Sequence, residues 1–108
     1  MNMNDYQAQA RTTAIYPEDI GLIYTALGLT GESGEVAEKV KKMVRDGSEL
    51  NIVKKGEIAL ELGDVLWYVA NIAYEIGVSL ETIAKTNIIK IKQRALENSI
   101  KGDEPLSR

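Results

Sequence analysis

The chain has 108 residues, 13 Lys+Arg against 16 Asp+Glu, and no His, Cys or Phe. The length suits one domain with a modest core. The missing His and Cys exclude His-dependent triads, His-ligated zinc or di-iron sites, disulfides, thiolate nucleophiles and iron–sulfur clusters. A net charge of −3 argues against a surface that neutralises a nucleic-acid polymer. Carboxylates, amides, hydroxyls and Lys/Arg remain, so any catalysis points to hard metal ions on carboxylate oxygens.

Residues 3–14 read as a first short helix. Pro17 fits a first-turn position, with Glu18 and Asp19 favourable at a helix N-terminus. The second helix is predicted from about 18 to 46, ending at Asp46-Gly47. After the loop Gly47–Asn51, a third helix spans about 52–76 and stops at Gly77. Ser79 is the expected N-cap of a fourth helix over about 80–98, with Glu81 in its first turn. Residues 99–108, including Gly102-Asp103-Glu104-Pro105, are expected to form a loosely ordered tail of the single domain 1–108. The stretch Val65–Tyr74 is half of the ~20 residues a spanning helix needs. Met-Asn-Met-Asn-Asp lacks the marks of a signal peptide. No membrane association and a cytoplasmic location are the expectations.

Apolar residues in the third helix fall at Ile58, Leu62, Val65, Val69, Ile72 and Ile76, a bundle-type seam. The second helix repeats the rhythm with Leu22, Ala26, Leu29, Ser33, Val36, Val40 and Met43; the fourth carries Leu80, Ala84, Ile88, Ile91 and Ala95. No segment alternates like a strand. The expected fold is all-α: an antiparallel bundle of about four helices, with stripes broad enough to favour a homodimer or homotetramer.

One residue before each seam lies a second stripe. It reads Thr25, Gly28, Glu32, Glu35, Lys39, Lys42 on the second helix and Glu57, Glu61, Asp64, Tyr68, Asn71, Glu75 on the third. Both stripes are expected at the edge of the packed interface. Glu32/Glu35 and Glu61/Asp64 each share a helix face. Counting from the turn at the helical rise puts the first pair roughly 19 Å and the second roughly 16 Å away, nearly level on facing helices. A lone E-x-x-E is usually a solvated face. Two pairs at matching heights crowd four like charges, which suits Mg²⁺ or Mn²⁺. On the fourth helix Asn87, Lys90 and Arg94 form a stripe suited to a polyanion, although a basic pair alone is more often a surface ion pair. Gly28, Gly31 and Gly34 imply either close approach of another backbone or a ligand, or a helix break near Thr30.

Gly31-Glu32-Ser33-Gly34-Glu35, followed after residues 36–60 by Glu61-Leu62-Gly63-Asp64, resembles the E-x-x-E…E-x-x-D signature of the MazG-like nucleoside triphosphate pyrophosphohydrolases. Glu-Leu-Gly-Asp-Val-Leu-Trp-Tyr, Asn87-x-x-Lys90-x-x-x-Arg94, Tyr6-Gln7 and Thr13-Ala14-Ile15-Tyr16-Pro17 are similar to small members from bacteria and phages. The resemblance implies a Mg²⁺-dependent hydrolase that splits a (d)NTP into (d)NMP and pyrophosphate, with Mn²⁺ able to substitute. Glu32, Glu35, Glu61 and Asp64 would hold the metal ions, and Asn87, Lys90 and Arg94 the phosphates. The implied chemistry is attack by a metal-activated water, which needs no His base. Trp67 and Tyr68 are candidate base or pocket contacts, with packing the ordinary role of such aromatics. The competing expectation is a non-catalytic, homo-oligomeric nucleotide-binding or interaction module.

Overall fold

The computed structural model describes residues 1–101, with side chains described through Asn98. The order is α1 (Met3–Thr12), a short 3₁₀ turn (Glu18–Ile20), α2 (Gly21–Asp46), α3 (Ile52–Glu75) and α4 (Leu80–Lys101). No strand occurs among the described residues. The fold is all-α, as expected.

The boundaries follow local chemistry. Asn2 and Asp5 make a reciprocal capping box at α1, satisfying two orphan amide groups. The first helix closes two residues earlier than expected because Thr13 turns back, its hydroxyl donating to Ala10 O at 2.9 Å. Pro17 caps the 3₁₀ turn and α2 itself starts at Gly21, three residues later than the sequence suggests. Gly47 ends α2 at φ 65° and Gly77 follows α3 at φ 75°, conformations that favour glycine. The Asn51 side chain accepts from Lys54 N at 2.9 Å and caps α3. The Ser79 hydroxyl accepts from Thr82 N at 3.1 Å, the cap expected for α4. That helix continues to Lys101 rather than ending near 98; residues 102–108 of the expected tail lie outside the described residues.

Helices α2 and α3 form the antiparallel hairpin. Its two facing surfaces are the polar stripes, which the sequence pattern places at the interface edge. Thr25 and Asn71 are fully buried. A Cβ added at Gly21 would collide with the Glu75 carboxylate, and one added at Gly28 would lie 2.1 Å from the Tyr68 ring. Further along, Glu32 meets Asp64 and Glu61. Seven residues then four along α2 therefore correspond to seven then four back along α3. The apolar seams flank this line and are partly uncovered, with Leu62 52% and Ile76 53% exposed. No helix break occurs near Thr30, so Gly28 serves close approach. Gly31 and Gly34 meet no atom within 4 Å.

A small core of Ala10, Ala70 and Leu80, with Tyr6, Trp67 and Val69 against it, joins α1 to α3 and α4. Gln7 fastens this corner. Its amide nitrogen donates to Ala70 O and Val78 O, each at 3.2 Å, and its oxygen accepts from Leu80 N at 2.9 Å. Asn4 accepts from Glu81 N at 3.3 Å. Two side chains of α1 thus satisfy amides in the first turn of α4. Among the described residues α4 touches α1 and α3 but not α2, an open rather than a closed arrangement of the four helices. Its radius of gyration is 17.2 Å, against about 13 Å for a compact chain of ~100 residues.

Gly28→Ala should destabilise by about 1–3 kcal/mol, because the Tyr68 ring must move. Gly31→Ala, whose added methyl meets open space, should stabilise by up to ~1 kcal/mol. Urea unfolding of the two variants side by side checks the contrast.

Candidate metal centre

The hairpin register brings one carboxylate oxygen each from Glu32, Glu61 and Asp64 within 4.8 Å of one another. Glu61 and Asp64 are one turn apart on α3, and Glu32 reaches them from α2. Glu35 lies one turn beyond Glu32 and outside this group, so three of the four expected acids converge. The fourth is felt through its charge. Burial, then the charges of Asp64, Glu61 and Glu35, hold the Glu32 carboxyl above its ordinary range. Like charges so arranged resist simultaneous ionisation. A donor set made only of carboxylate oxygens fits a hard divalent cation, whose charge relieves that repulsion. Glu38, which shares E-x-x-E spacing with Glu35, is instead paired with Lys41 at 3.0 Å and with Lys42 at 3.9 Å.

The acids border an open cleft of about 370 Å³ lined by Thr13, Glu32, Asp64, Trp67 and Tyr68. Trp67 and Tyr68 accordingly stand beside the acids. Trp67 follows Asp64 by three residues, on the same face of α3. The two rings meet edge to face at 4.9 Å. Trp67 also belongs to the packing around the core, so one residue both lines the cleft and packs. Burial, then the neighbouring Tyr24 and Glu32, raise the Tyr68 hydroxyl above its usual pKa. Burial first, and Asp64 second, do the same for Tyr6.

The α4 stripe lies elsewhere. Asn87 and Lys90 line a separate groove with Val78, Ile83 and Thr86, and that groove shares no residue with the acid cleft. Arg94 sits one turn further along α4. Within one chain the structure does not bring these three residues together with the acids. The reason is the direction of α4, set by its anchorage to α1 and α3.

The wall formed by Thr13, and Tyr68 as the group that Gly28 admits, escape the sequence reading. The step between Gly21 and Gly28, matched by Glu75 and Tyr68, is the signal that could have revealed them.

Residues 23–97 match the model of the MazG nucleotide pyrophosphohydrolase domain. The chain belongs to the MazG family. The match covers α2, α3 and nearly all of α4, and so includes all four motif acids. Membership supports a pyrophosphohydrolase, and the acid cluster supports metal dependence. The MazG chain is also 40% identical over 109 residues to the Gene 37 protein of Mycobacterium phage L5, covering 94% of this chain and 96% of that protein. No solved structure gives a significant match. No helix among the described residues is long and apolar enough to cross a membrane.

The raised Glu32 pKa carries a sign. At neutral pH its ionised form is disfavoured in the folded state relative to the unfolded one, so stability falls as pH rises from the ordinary carboxylate range through the raised value. Glu32→Gln should therefore melt higher than the parent at neutral pH without divalent cations. The difference should vanish once pH drops below the ordinary carboxylate range, where both states are protonated. Melting curves across pH in a chelating buffer test this.

Proposed function

We propose that this MazG domain hydrolyses (deoxy)nucleoside triphosphates to the monophosphate and pyrophosphate, with Mg²⁺ as its ion and Mn²⁺ able to replace it. The observation that carries the reading is the convergence of Glu32, Glu61 and Asp64 from two helices beside a cleft with an aromatic wall. Glu35 is proposed as a fourth ligand, one turn away on the same helix. A bound divalent cation supplies an activated water and neutralises triphosphate charge. The chain's own residues hold that cation, keep its surroundings anionic and offer Trp67 and Tyr68 to the nucleoside. The cytoplasm is the proposed location.

The assembly is proposed to be a homodimer or homotetramer. The large radius of gyration and exposed apolar residues on α2, α3 and α4, such as Leu27, Leu62 and Ile89, support a second copy as the cover. Asn87, Lys90 and Arg94 are proposed to hold phosphates. Their separation from the acids in one chain makes that role depend on a second copy. Static light scattering should return a multiple of the 11.9 kDa chain mass; a monomer at micromolar concentration would refute the assembly.

A panel of dNTPs and NTPs with Mg²⁺ should yield monophosphate and pyrophosphate in equal amounts, with no orthophosphate. Removing a ligand should exceed the ~10–100-fold effect of losing an outer-shell partner. Asp64→Ala and Glu35→Ala are thus expected to lower kcat by more than about a hundred-fold with unchanged helicity. Orthophosphate as the sole phosphorus product, or retained activity in both variants, would overturn the reading. The position of Glu35 outside the converging acids favours one alternative, a binding module without turnover. Calorimetry with a non-hydrolysable triphosphate, showing binding where the panel shows no products, would select it.

A further inference from the structure

A second polar cluster lies at the far end of the same α2–α3 line. Glu75 is eleven residues beyond Asp64 on α3, roughly 16 Å along the axis, and is no partner of the metal acids. Its Oε2 accepts from the Tyr16 hydroxyl at 2.6 Å and from Arg11 Nη1 at 3.5 Å. The same Arg11 nitrogen donates to the Tyr16 oxygen and, at 3.2 Å, to Asn71 Oδ1. The guanidinium lies 3.8 Å over the Tyr74 ring, a cation–π arrangement. The Glu75 carboxylate rests on Gly21, at the positive end of α2.

Two branches of this cluster, through Asn71 and Tyr16, run toward the cleft wall. Asn71, fully buried, donates its amide to Trp67 O at 3.0 Å. Tyr16 stacks on Tyr24 at 5.2 Å and meets Trp67 edge-on at 6.5 Å. Trp67 Nε1 donates to the Thr13 hydroxyl at 2.9 Å, and that hydroxyl donates onward to Ala10 O. The indole's only polar atom is thereby used, so the indole face is what Trp67 offers the cleft. Residues 13–20 contain no α-helix, and their place against α3 depends on these side-chain bonds.

We propose that Arg11, Tyr16 and Glu75 form a latch that positions Thr13 and Trp67 as the nucleoside-side wall of the cleft. The three are positioning residues, and they govern substrate affinity and base selection rather than the hydrolytic step. This rests on the nucleotide reading given above.

Trp67 is the only tryptophan in the chain, so its emission reports on the wall with no nucleotide present. Tyr16→Phe keeps both ring contacts and removes the hydroxyl; Glu75→Ala removes the acceptor; Glu75→Gln keeps an acceptor oxygen. Tyr16→Phe and Glu75→Ala should red-shift Trp67 emission and raise its quenching by acrylamide at unchanged helicity. Both should raise KM for the preferred triphosphate by roughly three- to ten-fold, as for a lost hydrogen bond, with kcat within twofold. Glu75→Gln should recover most of both effects. Unchanged emission in both disruptive variants overturns the latch. Shifted emission with unchanged KM, or with kcat falling in step with kcat/KM, overturns its role in substrate affinity. If the parent turns over no triphosphate, the nucleotide reading fails together with that role, and the emission arm alone decides whether the latch holds the wall.

Discussion

The close approach of α2 to α3 is the constraint on which the rest of the molecule depends. Two long helices ordinarily meet through apolar seams. Here the line of contact carries Gly21, Thr25, Gly28 and Glu32 on one side and Glu75, Asn71, Tyr68 and Asp64 on the other. Glycine at 21 and 28 leaves room for a carboxylate and a phenol ring from the facing helix. Thr25 adds little bulk, and its hydroxyl returns to its own backbone at Gly21 O, 2.8 Å away. Because polar side chains define the register, the same register that seats Tyr68 also faces Glu32 with Glu61 and Asp64. Fold and metal centre are two consequences of one alignment.

That alignment has an electrostatic cost at one end and relieves its charge at the other. Glu75 is half-buried among partners: a tyrosine hydroxyl, a guanidinium and the positive end of a helix. Glu32, Glu61 and Asp64 converge on one another, and burial first, then the neighbouring carboxylates, raises the Glu32 pKa. Like charges crowded on one face repel, so an unneutralised acid cluster weakens the hairpin that creates it. Cation binding and helix pairing would therefore be linked: an ion held by the three acids would stabilise the folded state by mass action. The absence of His fits such a site, since carboxylate oxygens are the natural ligands of hard cations.

Much of this was legible in the sequence. Helix number, the Gly47 and Gly77 stops, the Ser79 cap and the acid pairs follow from spacing and local chemistry. The choice of facing surfaces does not. Apolar and polar stripes one residue apart differ by about 100° around the helix, and periodicity alone favours the apolar one. Only Gly21 and Gly28, read against Glu75 and Tyr68, reverse that choice. The direction of α4 was hidden for a different reason. Gln7 and Asn4 set it through hydrogen bonds spanning more than seventy residues, and no local pattern encodes them. The expectation that Asn87, Lys90 and Arg94 share a substrate with the acids assumed, within one chain, a closed bundle, which that anchorage prevents.

Packing polar stripes against each other has a further consequence. The apolar seams of α2 and α3 are displaced to the flanks, where one chain cannot cover them, and α4 leans away from α2. The surface left open and the basic stripe left distant from the acids thus share a cause. A second copy that covers the seams would remove the first deficit through the hydrophobic effect. The second deficit is a matter of charge. On the proposed reading a triphosphate brought to these acids needs cations, and an ion held by Glu32, Glu61 and Asp64 would offset only part of that charge. No Lys or Arg lines the acid cleft. On the proposed reading the remainder falls to a second copy, so that assembly would balance the site as well as bury its flanks.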